Sequence, residues 1–189
     1  MFYIDDINQI VQILEREGVI AYPTDTIWGL GCAISSEKAY QRIASIKGRD
    51  KKKPFILLVD SVDMLKEHID YLHPRVETLL NLHDRPLTLI YDFPKNLPDY
   101  ALADNGTIGI RVVKDSFCRD LINRLGQPIV STSANFSNNP PPDIFTDIDP
   151  KMLRKVDYVV LYRRDDTSKS APSVIARYDK KGELQFIRE

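Results

Sequence analysis

Val19-Ile20-Ala21-Tyr22-Pro23-Thr24-Asp25-Thr26-Ile27-Trp28-Gly29-Leu30-Gly31 is the stretch whose reading decides the fold. The first four residues form a short apolar run of the kind that suits a strand covered on both faces. Pro23 stops it, because a proline cannot donate to a sheet ladder. Two threonines, an aspartate and a Gly-Leu-Gly follow, placing compact hydroxyls and bare backbone at a strand's carboxyl end, where open α/β sheets bind ligands. Two readings of the segment stand side by side. Gly-Leu-Gly is part of a dinucleotide fingerprint, and Pro-Thr-Asp-Thr is also ordinary turn chemistry.

Outward from that strand, helix and strand patterns alternate. Ile7, Ile10, Val11 and Leu14 recur at helical spacing, and Gly18 supplies a stop. A helix over 36–47 carries Ala39, Ile43, Ala44 and Ile46, with Gly48 just past its end. A continuous apolar strand over 54–59 completes a βαβ pattern. Short helices are expected over 61–68 and 74–82, strands over 87–91 and 107–113, a helix over 116–125 ended by Gly126, and a strand over 128–131. The tail offers strands over 158–162, 173–178 and 183–188, the last two joined by the hairpin signal Asp179-Lys180-Lys181-Gly182. The fold class is therefore α/β, a twisted open mixed sheet with flanking helices. Two polar loops, 135–142 and 163–170, are candidate covers over a site.

The chain has 189 residues, 43% hydrophobic and 28% charged, enough for one domain over 1–189 with a sizeable core. Two cysteines without Cys-x-x-Cys spacing and three histidines support neither a disulfide framework nor a zinc site. The first residues lack a basic n-region and an apolar targeting segment, and no stretch reaches membrane-spanning length, so a cytoplasmic protein without membrane contact is expected. A net charge of -1 argues against a general nucleic-acid coat, while a local basic patch, and with it a weak tRNA contact, stays open.

Three further segments carry chemistry. Lys47-Gly48-Arg49-Asp50-Lys51-Lys52-Lys53 holds five cations in seven residues. Lysine and arginine at a helix C-terminus complement its dipole, and the same run suits a triphosphate whose leaving pyrophosphate must be neutralised. No Walker A sequence occurs, so a nucleotide here is not held by a P-loop. Arg111 interrupts the apolar run Thr107-Ile108-Gly109-Ile110-Arg111-Val112. Pointing outward it needs no ligand; pointing inward it must be neutralised, and a substrate carboxylate is a natural partner. Ser131-Thr132-Ser133-Ala134-Asn135 leaves another apolar strand and suits either a turn or a close approach of phosphate. With no Gly-x-Ser-x-Gly elbow, serine-hydrolase chemistry is disfavoured.

Taken together, the 23–31 loop, Lys47-Gly48-Arg49, Lys53-Pro54, Pro86-Leu87-Thr88-Leu89-Ile90, Thr107 to Arg111 and Ser131 to Asn135 resemble, in order and spacing, the YrdC-like L-threonylcarbamoyladenylate synthases. The resemblance covers roughly residues 18–142, with a weaker echo at Pro172-Ser173-Val174-Ile175, and is of the short stand-alone type. It implies a concave polar face binding ATP and L-threonine side by side. The reaction implied joins threonine, bicarbonate and ATP into threonylcarbamoyl-AMP and pyrophosphate, for transfer by tRNA-threonylcarbamoyl transferase proteins to an adenosine beside the anticodon. Mg²⁺ is implied with the ATP, held by nucleotide and water.

Carried over by position, the resemblance assigns Thr26, Arg111, the Ser131 backbone and Ser173 to threonine. It assigns Lys47, Arg49, Lys53, Thr107, Ser133, Asn135 and Arg188 to ATP, with Lys47 and Arg49 as catalytic candidates that stabilise charge. The chain departs from the pattern at Trp28, where Tyr is commoner, and at Leu58, where some relatives present His toward threonine. Val174 and Arg177 replace Thr and Asp, Asp84-Arg85-Pro86 lacks a usual Gly, and no Pro-Gly follows Arg188. Two rival classes are an RNA-binding module without synthase activity and the related carbamoyl-adenylate domain of hydrogenase-maturation proteins.

Overall fold

A computed structural model describes residues 5–48 and 54–188. Helix α1 (Ile7–Glu15) starts where the Asp6 carboxylate accepts the Asn8 N–H, and it buries Ile7, Ile10, Val11 and Leu14, the face read from the sequence. Strand β1 (Ile20–Tyr22) leads through the 23–28 loop into β2 (Gly29–Ala33). Helix α2 (Glu37–Lys47) is capped by Ser36 and closed by Gly48 at φ 60°, the left-handed conformation in which glycine carries no Cβ penalty. Next come β3 (Ile56–Val59), α3 (Val62–Glu67), α4 (Pro74–Leu82), β4 (Leu87–Tyr91) and β5 (Ile108–Val112). Helix α5 (Ser116–Leu125), β6 (Ile129–Ser133), α6 (Pro150–Leu153), β7 (Tyr158–Val159), β8 (Val174–Tyr178) and β9 (Leu184–Arg188) complete the order.

The nine strands form one mixed sheet in the order β7-β1-β2-β6-β3-β5-β4-β8-β9. Alternation along each strand sends side chains to two cores. Leu57 and Val59 of β3, with Val19 and Ala21, join the core that includes Ile43 of α2 and Val76 of α4. Leu58, Ile20 and Tyr22 join the core beneath α1 and α5. Helices on both faces explain why the strands read as continuous apolar runs. Among the described residues no helix is long and apolar enough to cross a membrane.

Two expectations change. The Gly-Leu-Gly expected in a loop lies in β2, which pairs antiparallel with β1 and with β6. The βαβ unit is therefore β2-α2-β3, with β6 between its parallel strands. The strand expected over 158–162 ends at Val159, because side chains take over its ladder. The Asp5 carboxylate accepts the N–H groups of Leu161 and Tyr162 at 2.8 and 2.7 Å, and Arg164 donates to the Val160 carbonyl at 2.8 Å.

Candidate functional site

The carboxyl ends of β1 and β6 and the amino ends of β2, β3 and β8 frame a cleft of about 390 Å³. That volume falls within the roughly 300–1,000 Å³ of small-molecule sites. Thr26, Arg111, Ser131, Ser133, Ser173 and Arg188 line it, with Trp28, Phe55 and Ile175 among its apolar walls and Pro141 of the 135–142 loop beside them. Six of the eleven residues singled out in the sequence thus meet in one volume, although 162 positions separate Thr26 from Arg188. Arg49 and Lys53 lie outside the described residues.

Arg111 points inward and is 3% exposed. Where the sequence suggests a substrate carboxylate as its partner, the side chain of Asp25, itself 6% exposed, already stands, with Nη2 and Oδ1 3.0 Å apart. The two groups meet as charges rather than as an aligned hydrogen bond, and both Asp25 Oδ1 and Arg111 Nε are buried without a hydrogen-bond partner. A second Arg111 nitrogen donates to Thr26 Oγ1 at 3.2 Å. Arg188 donates to the Ser173 carbonyl at 2.7 Å, and burial together with the nearby Arg111 charge lowers its pKa from the ordinary guanidinium value. Two guanidinium groups against one carboxylate leave this part of the cleft biased toward an anionic ligand.

Three of the lining hydroxyls are each backed by a second one. Thr26 Oγ1 lies 2.9 Å from Thr24 Oγ1, Ser131 Oγ accepts from the Tyr22 phenol at 2.9 Å, and Ser173 Oγ lies 2.8 Å from Thr88 Oγ1. The backing residues Tyr22, Thr24 and Thr88 were not singled out in the sequence. Their signal was nevertheless present: a tyrosine ending an apolar strand, a threonine one turn from another, and a lone hydroxyl inside Leu87-Thr88-Leu89. The glycines of Gly-Leu-Gly have a packing reason as well. The Tyr22 ring crosses β2 to reach β6, and a Cβ on Gly31 would stand 2.7 Å from Tyr22 Cε1, a separation that cannot be held.

Three residues expected on the ATP side, Lys47, Asn135 and Thr107, do not line the cleft. Lys47 is 3% exposed, and its ammonium donates to the carbonyls of Ser133 and Asn135 at 2.5 and 2.7 Å and to Asn135 Oδ1 at 3.2 Å. Lys47 therefore fastens the exit of β6 to the end of α2, an attachment doubled by the Ser137 N–H on the Lys47 carbonyl at 2.8 Å. Asn135 turns its amide nitrogen to the carbonyls of Phe136 and Asn139. Thr107 donates its hydroxyl to Asn105 Oδ1 at 2.9 Å, at the entry to β5.

The 163–170 loop packs against the same region. Arg163 donates to the Thr24 carbonyl at 3.0 Å and pairs with Asp166 at 2.9 Å and Asp115 at 3.6 Å. Asp115 caps α5, and burial raises its carboxyl above the usual aspartate range. Cys32 and Cys118 are free and buried, and burial pushes the Cys32 thiol up to about 12, a value at which it is a packing residue and not a nucleophile.

Comparison with known proteins identifies relatives of the chain. The Sua5/YciO/YrdC family model, described as telomere recombination, matches residues 12–189. A protein of Xanthomonas euvesicatoria pv. vesicatoria named threonylcarbamoyl-AMP synthase is 35% identical over 158 residues, spanning 82% of this chain and 84% of that protein. The crystal structure of E. coli YciO superposes with a TM-score of 0.83 at 26% identity, covering 97% of this chain and 88% of that one. P. abyssi Sua5, crystallised with L-threonine, superposes with a TM-score of 0.79 at 23% identity, a likeness of fold. It covers 90% of this chain, which spans half the length of that protein.

Proposed function

The chain belongs to the Sua5/YciO/YrdC family, and from that premise we propose that it is an L-threonylcarbamoyladenylate synthase, an ATP-using enzyme that forms threonylcarbamoyl-AMP and pyrophosphate from L-threonine, bicarbonate and ATP. The observation that carries the reading is the convergence, in one cleft, of the Asp25–Arg111 pair and the Thr26, Ser131 and Ser173 hydroxyls with Ser133 and Arg188. The hydroxyls and Arg111 suit a small ligand bearing a carboxylate, an amine and a hydroxyl. Ser133, Arg188, Arg49 and Lys53 are the groups proposed to meet the phosphates, with Thr107 and Asn135 shaping that end.

In this reading the mechanism is electrostatic. Threonine carbamate is short-lived in water, so the site must hold amine, carbon dioxide and α-phosphate together and keep water out. The amine nitrogen bonds to the carbon derived from bicarbonate, the amine proton and the hydroxide lost from that carbon leaving as water; a carbamate oxygen then attacks the α-phosphorus, and the bond to the bridging oxygen breaks as pyrophosphate departs. Cations facing the phosphates stabilise the charge that collects on the leaving group. A Mg²⁺ carried in on the triphosphate would neutralise phosphate charge there. Transfer proteins then move the threonylcarbamoyl group to tRNA, in the cytoplasm.

The test is pyrophosphate release by the purified protein with ATP, L-threonine and bicarbonate, each omitted in turn. Release only with all three present is the expected result; equal release without threonine overturns the proposal.

A further inference from the structure

Counting hydrogens in the paired hydroxyls gives each lining residue a direction. A serine or threonine hydroxyl has one hydrogen to donate and two lone pairs to accept with. Thr24 donates its hydrogen to the Ile27 carbonyl at 2.8 Å and accepts the Thr26 N–H at 3.1 Å. In the 2.9 Å contact between the two threonines, Thr26 must therefore be the donor. Since Thr26 Oγ1 also accepts from Arg111 at 3.2 Å, only one lone pair is left for the cleft. Thr26 can accept from a ligand and has no hydrogen to give it.

Ser131 has the opposite sense. The Tyr22 phenol, 0% exposed, donates to Ser131 Oγ at 2.9 Å, so the serine keeps its own hydrogen for an oxygen in the cleft. A phenol is the stronger acid of such a pair and the natural donor, and burial holds its pKa well above the ordinary tyrosine value, so the hydrogen is present at every working pH. The arrangement is built in covalently bare backbone: the ring reaches Ser131 only because Gly31 has no side chain and Gly29 has none beside Ser131 Oγ, where a Cβ would stand at 3.2 Å.

We propose that Tyr22 is a positioning residue that fixes Ser131 as a hydrogen-bond donor toward the amino-acid ligand, opposite Thr26, which Thr24 fixes as an acceptor. A ligand is thus read by polarity as well as size, with an anionic oxygen at Ser131 and an N–H or O–H at Thr26. Swapping the two ends of such a ligand would set acceptor against acceptor at Thr26 and forfeit the hydrogen that Ser131 holds ready, leaving Ser131 only its remaining lone pair, so one orientation of the amino acid is favoured. The proposal rests on the synthase reading for the identity of the ligand.

A double-mutant cycle on the full chain tests it, with Tyr22→Phe, Ser131→Ala and the double variant, and with Michaelis constants for L-threonine and ATP as readouts. Tyr22→Phe removes one oxygen and leaves the ring in place. The expected result is a rise in the threonine constant of roughly five- to tenfold, with the ATP constant within about twofold. Added to Ser131→Ala, it should produce no further rise, because Tyr22 acts through Ser131. A merely structural role would shift both substrates or neither, and would persist in the Ser131→Ala background. If Tyr22→Phe does not fold, Ser131→Ala alone decides, and an unchanged threonine constant overturns the proposal. Wild-type turnover that ignores threonine overturns the synthase reading and this proposal together. Threonine-dependent wild-type turnover with an unchanged constant in folded Tyr22→Phe overturns this proposal alone.

Discussion

The floor of the cleft and its Lys47 corner use buried polar groups in opposite ways. On the floor, each of Thr26 and Ser131 spends part of its hydrogen-bonding capacity on a buried partner and keeps the rest facing the cleft, one lone pair on Thr26 and the hydrogen on Ser131 among it. In the corner, Lys47 commits its ammonium to Ser133 and Asn135 and orders the chain leaving β6. The difference shows that a cation near a phosphate-binding segment can work by holding backbone rather than by touching a ligand, and that hydroxyls can be the directional elements of a site.

The largest effect expected is on the floor. Arg111→Ala leaves the Asp25 carboxylate buried with its charge uncompensated, and breaking such a pair costs about 3–5 kcal/mol. Urea unfolding should register that loss, and adding Asp25→Ala should restore part of it. A variant as stable as wild type would mean that the 3.0 Å contact is no working ion pair and that Arg111 stands free for ligand. The corner should respond next. Lys47→Met removes a charged donor from three acceptors, at a cost of about 2 kcal/mol. Stability and ATP affinity should fall together as the Ser133–Asn135 segment loosens. Full stability with lost turnover would instead return Lys47 to the phosphates.

Helix positions were legible because α1, α2 and α5 carry apolar faces at helical spacing between a polar cap and a stop, with Gly48 and Gly126 at φ 60° and 68°. Strand β2 was not, since Gly29-Leu30-Gly31 has turn composition and its glycines answer to a ring two strands long in reach, Tyr22. The same long-range cause hid the partners of the site. Arg111 announced itself as a charge in an apolar strand, but nothing local to it names Asp25, 86 positions earlier. Nor does the sequence name the carbonyls that accept from Lys47, since main-chain acceptors leave no mark on it.

The smallest effect concerns the 163–170 loop. Hydrogen bonds from the Ser168 backbone and side chain and from Arg163 depress the Asp166 carboxyl to about 2. A depressed carboxyl contributes stability that is fully present above its ordinary value of 3.8 and is lost as pH falls through about 2. Carbon-detected titration should place the Asp166 midpoint near 2; a midpoint near 3.8 would show that the contacts leading to Thr24 do not persist in solution.

On the proposed function, the floor of the cleft, with Arg111 in it, serves the amino acid while the far end serves the nucleotide. Arg111→Lys keeps the charge against Asp25 and removes the planar fork. Titrating each substrate against this variant in the pyrophosphate assay should raise the apparent threonine constant about tenfold or more while the ATP constant stays within about twofold. An unchanged threonine constant with a raised ATP constant would contradict the division of the site.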